Sequence, residues 1–239
     1  MGNSVLAATA QQMAIRRQMD VIANNVANSN TLGFKGERMV FAQYLTDIGN
    51  GEKMAMVEIA AVVRDFTDGP LQATDNPLDV AIRGEGFFQV ETPDGIRYTR
   101  SGNLRLDAAG ALVTSDGHAV LSQRNTPLKI LPGDREIIIA TNGKISSESG
   151  EIGRLGIVTF DNLNSLRKLG NGLYESDEEP KPAKDATVVQ GMVEGSNVKP
   201  IIEMTRMISL LRSYQGARTL DNEEHELSRR AITAIASVS

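Results

Sequence analysis

Ala23-Asn24-Asn25-Val26-Ala27-Asn28-Ser29-Asn30-Thr31-Leu32-Gly33-Phe34-Lys35 is the stretch on which the reading of this chain turns. Four Asn, a Ser and a Thr follow directly on an apolar repeat of helical period, and such side chains hydrogen-bond nearby backbone and favour turns. A helix therefore ends here. Gly33 can adopt positive φ without steric cost, and Phe34 supplies one large apolar anchor beyond the turn.

Upstream, Val5, Ala8, Gln12, Ile15, Met19, Ile22 and Val26 are spaced 3, 4, 3, 4, 3 and 4. That spacing makes a narrow seam of period 3.5, which predicts a helix seeking a partner helix. Downstream, the signal weakens between Gly36 and Asp75. Gly49, Asn50 and Gly51 break a short apolar segment, and Ile59–Phe66 reads equally as strand or helix. From Leu78 the period becomes two: Leu78, Val80 and Ile82 alternate with Asp79 and Ala81. Asp94-Gly95, Asp116-Gly117 and Asn142-Gly143 predict two-residue type I′ hairpin turns. Short strands are expected at Phe87–Glu91, Leu104–Leu106, Leu112–Thr114, Ala119–Leu121, Leu128–Ile130, Ile137–Ala140 and Gly156–Phe160. The charged, proline-containing Glu175–Asp185 is expected to lead out of this β region.

Ser196, Asn197 and Pro200 then mark a helix start. Ile201, Met204, Ile208 and Leu211 repeat at 3, 4 and 3, and Leu220, Leu227 and Ala234 at sevens. Gly216 inside this run costs about 1 kcal/mol relative to Ala, and a bend there stays open. The expected class is α+β: long N- and C-terminal helices pairing as a coiled-coil-like core, with a central, mostly antiparallel β domain. The expected divisions are 1–30 with 201–239 as a terminal helical assembly domain, 31–74 with 186–200 as a connector, and 75–185 as the β domain. Ile15, Met19, Ile22 and Val26 with Ile201, Met204, Ile208 and Leu211 are the expected assembly seam. The terminal helices are expected to order fully only on assembly.

Composition narrows the function classes. The chain has 239 residues, 41% hydrophobic and 23% charged, so it resembles ordinary folded proteins. Its net charge of −5 comes without a basic stripe, which argues against a nucleic-acid partner. It has no Cys, hence no disulfide and no thiolate metal site. Arg16 and Arg17 follow Gln11 and Gln12 where a secretory signal would need an apolar run, so no cleaved signal peptide is expected. No apolar run is long enough to span a membrane.

Chemistry is hard to find. Gly84-Glu85-Gly86 lacks the third glycine of a dinucleotide fingerprint, since Gln89 stands there, and it lies between strands. His118 and His225 are the only histidines, in unlike settings, and no Gly-x-Ser-x-Gly elbow occurs. Asp94, Asp107 and Asp116 are accounted for by turns. No catalytic, metal-binding or cofactor-binding residue is expected, and no small-molecule substrate. The competing class is an enzyme using carboxylates from different loops of the β region.

The opening stretch resembles the signature of the bacterial flagellar rod and hook protein family, a helix ending in Ala-Asn-Asn-hydrophobic-Ala-Asn-x-Asn-Thr-x-Gly-Phe-Lys. Ala23, Asn24, Asn25, Ala27, Asn28, Asn30, Thr31, Gly33, Phe34 and Lys35 carry the match. Gly69–Ile82, Gly84–Phe88 with Tyr98–Asn103, and Glu194–Val198 with Glu203, Met204, Met207 and Ile208 are similar to further stretches of that family. Chain length and the Gln12–Ile22 segment look most like its proximal-rod members, with distal-rod and hook subunits as neighbours. The resemblance implies a structural, non-enzymatic subunit of the flagellar basal body, exported by the flagellar export apparatus without a cleaved signal. Its implied partners are other rod proteins and copies of itself. The motif residues would then shape the exit from an assembly helix.

Overall fold

The fold is taken from a computed structural model, which describes residues 2–47, 53–131, 133–134 and 136–236. Gly49, Asn50 and Gly51 lie outside the described residues, as do the side chains of Val5, Ala8, Leu220, Leu227 and Ala234. The chain divides into two compact units. One holds residues up to Ala27, Glu37–Arg64 and Lys199 onward; the other holds Asn28–Gly36 and Asp65–Val198.

The first unit contains helix α1 (Gly2–Ala27), strands β1 (Glu37–Asp47) and β2 (Lys53–Arg64), and helix α2 (Pro200–Ala236). Strands β1 and β2 form an antiparallel hairpin from Glu37↔Arg64 to Asp47↔Lys53, with an irregularity at Val40/Phe41. The ambiguous Ile59–Phe66 segment is thereby resolved for the most part as strand. Helix α1 packs against α2 and against both strands of the hairpin. Helix α2 runs unbroken through Gly216.

The expected coiled-coil-like pairing of the terminal helices is corrected by this arrangement. Ile15 and Ile22 are buried on α1, with Met19 and Val26 half-buried on the same face. On α2, however, the expected seam is exposed: Ile201 is 80% accessible, Met204 51%, Ile208 52% and Leu211 43%. The inward residues of α2 are Glu203, Met207, Leu210 and Tyr214. The physical reason is that the hairpin supplies α1 with a second partner, while Asn25 on α1 meets Glu203 on α2 through a buried polar contact. The class is a β-rich body with two helices, without coiled-coil pairing.

The second unit is antiparallel throughout its described pairings. Its largest sheet has nine strands among the described residues, centred on Phe87–Thr92 and Gly95–Thr99. Val80–Arg83 pairs with Thr187–Gln190, and Leu71–Ala73 with Met192–Glu194, which brings the end of the unit back to its beginning. Leu128–Ile130 forms only a bridge, Ala111↔Lys129. Glu175–Asp185 does not lead outward: Lys181–Pro182 pairs with Ile157–Thr159, and the Glu178 carboxylate accepts the Asp161 N–H at 2.9 Å.

The hairpin turns also depart from expectation. Each glycine is the fourth residue of its turn rather than a central one, as in Gly117 N–H to Thr114 O (2.9 Å) and Gly143 N–H to Ala140 O (2.8 Å). Type I′ needs positive φ at both central residues. Among the described non-glycine residues only Asp75, Asn125 and Asn171 have it, so Asp94, Asp116 and Asn142 do not.

Successive strand residues face opposite sides, and the pair Phe87-Phe88 uses both. Phe88 enters an aliphatic core with Val80, Ile82, Val90, Leu112, Ile145 and Val188. Phe87 enters an aromatic one, 5.7 Å from Tyr174 and 6.3 Å from Phe160 between ring centroids, with Tyr98 at 4.8 Å from Phe160. With Phe66, this cluster gathers five of the ten aromatic residues, and Phe87 meets Tyr174, and Tyr98 meets Phe160, edge to face. Phe88→Ala is expected to destabilise the protein by about 3–5 kcal/mol in urea unfolding, the range for emptying a packed aromatic site.

Candidate functional site

The residues that follow α1 enter the second unit as a set of short turns. Thr31 N–H bonds to Asn28 O at 3.1 Å, and Gly33 N–H to Glu194 O at 2.8 Å. Gly33 has φ +66, and a Cβ there would stand 2.7 Å from Arg100 C and Ser101 N. Only glycine suits both the conformation and the close approach. Phe34 is buried, with Lys168 Nζ 4.3 Å from its ring centroid.

Lys35 then points into the unit. Its side chain is 1% exposed, that of Glu194 0% and that of Arg100 2%, so three charges are withdrawn from water together. Isolated charges could not persist in such surroundings. Lys35 Nζ donates to Glu194 Oε1 at 2.6 Å and to Thr67 O at 2.7 Å. Glu194 Oε1 also accepts Gly69 N–H at 2.8 Å, while Oε2 accepts Arg100 Nη1 at 3.3 Å. Arg100 Nη2 reaches Gly84 O at 2.8 Å, Nη1 lies 3.5 Å from Asp68 Oδ1, and the guanidinium carbon stands 5.2 Å from the Phe87 ring centroid. Arg100 Nε has no hydrogen-bond partner among the described residues.

Asn197 closes the arrangement. Its Oδ1 accepts Gly36 N–H at 2.8 Å, and its Nδ2 donates to Asp65 O at 2.8 Å and Thr67 O at 3.1 Å. The chain enters and leaves this unit at Asn28, Gly36, Asp65 and Val198. The Asn197 amide ties the neighbourhoods of the last three inside it.

Asn25, in the other unit, uses the same chemistry. Its Oδ1 accepts Glu37 N–H at 2.9 Å and its Nδ2 donates to Glu37 O at 2.7 Å, reading both backbone groups as a neighbouring strand would. The Nδ2 also lies 3.4 Å from Glu203 Oε2, and Glu203 Oε1 accepts Arg206 Nη1 at 2.6 Å.

The structure therefore separates the motif residues. Gly33, Phe34 and Lys35 are buried in the second unit and Asn25 in the first; Asn28 is half-buried; Ala23, Asn24, Ala27, Asn30 and Thr31 are exposed. Sequence reasoning missed Arg100, Glu194 and Asn197 as partners of Lys35 and Gly36. The available signal was that Lys35, Arg100 and Glu194 are the single charges of Ala23–Lys35, Tyr98–Asn103 and Glu194–Val198, set among Gly, Ser and Asn. The arrangement holds structure and offers no reactive centre, and no group of His, Cys, Asp and Glu able to hold a metal occurs among the described residues. No described helix is long and apolar enough to cross a membrane.

The comparisons follow the same segments. Residues 4–35 match the family model for flagella basal body rod proteins, residues 81–147 that for the flagellar hook protein FlgE/F/G D1 domain, and residues 189–232 that for the flagellar basal body rod FlgEFG C-terminal region. Lys35, Arg100 and Glu194 each fall in a different one of these. The chain is 35% identical to the flagellar basal-body rod protein FlgF of Caulobacter vibrioides and 31% to that of Mesorhizobium japonicum, each over 100% of both chains. It is 31% identical to FlgG of Bacillus subtilis over 90% of this chain and 92% of that one. The chain belongs to the flagellar basal-body rod protein family, a family of structural proteins and not of enzymes, which places it in the flagellar basal body.

Burial pushes the Lys35 ammonium below its ordinary value of 10.5, the Glu194 carboxylate working against that shift and the Arg100 charge with it. Because the folded pKa lies below the unfolded one, the unfolded chain binds more protons between them, and stability rises with pH across that window. An NMR titration of the Lys35 ammonium should give a midpoint below 10.5, and Glu194→Gln, by removing the opposing charge, should lower it further. A midpoint that Glu194→Gln leaves in place would contradict the pairing.

Proposed function

We propose that this chain is a FlgF-type subunit of the rod, polymerising with copies of itself and with other rod proteins where the rod crosses the periplasm, and leaving the cell through the flagellar export apparatus without a cleaved signal. The full-length relatives bearing the FlgF name support this type, since the FlgG relatives match shorter shares of the chain.

The observation that carries the reading is the exposed apolar stripe on α2. Ile201, Met204, Ile208 and Leu211 repeat at helical spacing and stand at 43–80% accessibility. A row of large apolar side chains left in water is the mark of a surface awaiting a partner. In a helical polymer the same stripe on every subunit would be covered by its neighbour, a heterologous contact that does not close on itself. The half-exposed Met204 and Ile208 lie mid-stripe, where a contact excludes the most water.

Ile208→Asp tests this directly. Placed on an exposed helix face, it should shift urea unfolding by no more than about 0.5 kcal/mol. In a strain lacking the gene, the variant should be made and exported but not incorporated into basal bodies, and motility should not be restored. Normal motility with both Met204→Asp and Ile208→Asp would overturn the reading.

A further inference from the structure

A cleft of about 410 Å3 opens between the segment around Ser122–Lys129 and the strand Gly150–Arg154. The two are stitched together at one end, where Ser122 bridges Leu155 and Gln123 N–H donates to Arg154 O at 3.1 Å. Exposed Pro127 and half-buried Ile152 give the lining its accessible apolar part, since Leu128 is 3% exposed and belongs to the aliphatic core. Gly153 lets Leu128 lie against the strand, because a Cβ at that position would stand 2.9 Å from Leu128 Cδ2.

Arg124, Lys129 and Arg154 line the cleft, and all three are exposed. The remaining lining charge, Glu151, is engaged by Lys144 Nζ at 2.7 Å. Among the described residues, none of the three cations has a carboxylate within pairing distance. The turn that presents Arg124 is rigidly built: Asn125 is left-handed at φ 57, the Ser122 and Thr126 hydroxyls lie 2.7 Å apart, and Ser122 Oγ accepts the N–H groups of Arg124 and Thr126 at 3.2 and 3.3 Å. Three cations without a carboxylate partner among the described residues thus line one cleft with Pro127 and Ile152, in a chain whose net charge is −5.

We propose that this cleft takes an acidic peptide segment of a partner protein, its carboxylates on Arg124, Lys129 and Arg154 and an apolar side chain on Pro127 and Ile152. Guanidinium groups match carboxylates in geometry as well as charge. A bare polyanion would use the cations but not the apolar lining, and the acidic remainder of the chain would repel a long one. The cleft is built from residues of the second unit, whereas the helical stripe invoked for polymerisation belongs to α2 of the first, so the two surfaces share no residue.

The test is a titration of the full chain, followed by backbone amide shifts, with acetyl-Asp-Leu-Asp-Leu-Asp-amide, with its Asn counterpart and with inorganic tripolyphosphate. Shifts confined to residues 122–129 and 150–155 are expected with the acidic peptide. Its affinity should fall by about fivefold in Arg154→Gln, the scale of one exposed charge pair, and further in the double variant Arg124→Gln/Arg154→Gln. Equal binding of the Asn peptide, or unchanged affinity in the double variant, would overturn the proposal. Tripolyphosphate binding as tightly as the acidic peptide would also overturn it, by making the cleft a general anion site. None of these outcomes depends on whether the α2 stripe mediates assembly.

Discussion

The Glu194 carboxylate, fully buried between Lys35 and Arg100, is the interaction on which the second unit depends. Burying three charges is unfavourable unless each is paired and its remaining hydrogen-bonding capacity is used. Here the neutralisation is shared with backbone: Gly69 N–H supports the carboxylate, Thr67 O takes the ammonium and Gly84 O the guanidinium. Five segments distant in sequence are thereby fixed by one side chain and its partners. Removing one partner from such a cluster costs about 3–5 kcal/mol, because the others remain buried without compensation.

That cluster explains why the glycines around it are where they are. Gly33 packs on Arg100 and Ser101, and a Cβ on Gly102 would collide with Val80 O. Charge pairing demands that the backbone segments come within hydrogen-bond reach, and side chains at these points would hold them apart. Asn197 adds the second constraint by holding Gly36, Asp65 and Thr67 with one amide. In the helical unit Asn25 plays the equivalent part, fixing the first residue of the hairpin to α1. Polar side chains, and not an apolar seam, set the local geometry in both units. The apolar stripe of α2 is correspondingly left free of that duty.

Much of this was legible in the sequence, and the failures are instructive. Period-two alternation and turn signals located strands such as Val80–Arg83, Phe87–Thr92 and Ile157–Thr159, because a half-buried strand must alternate, but not Lys144–Ser147, Gly150–Arg154 or Leu173–Glu175. The helix end at Ala27 was legible from its asparagines. Their role was not, since a side-chain amide that bonds twelve residues away looks in sequence like one that bonds locally. The heptad-like spacing of Ile201, Met204, Ile208 and Leu211 identified an apolar face but not what covers it, and Glu203, on the inward face, broke the apolar pattern there. Lys35, Arg100 and Glu194 could not be joined, because nothing in a single sequence connects charges 65 to 159 residues apart.

The central claim is that Lys35 and Glu194 form one energetic unit. A double-mutant cycle with Lys35→Met, Glu194→Gln and the double variant, read by urea unfolding, measures this directly. The account predicts that the double variant loses less stability than the sum of the single ones by at least about 1 kcal/mol, the range for residues in one ionic network. Additivity within about 0.5 kcal/mol would contradict it.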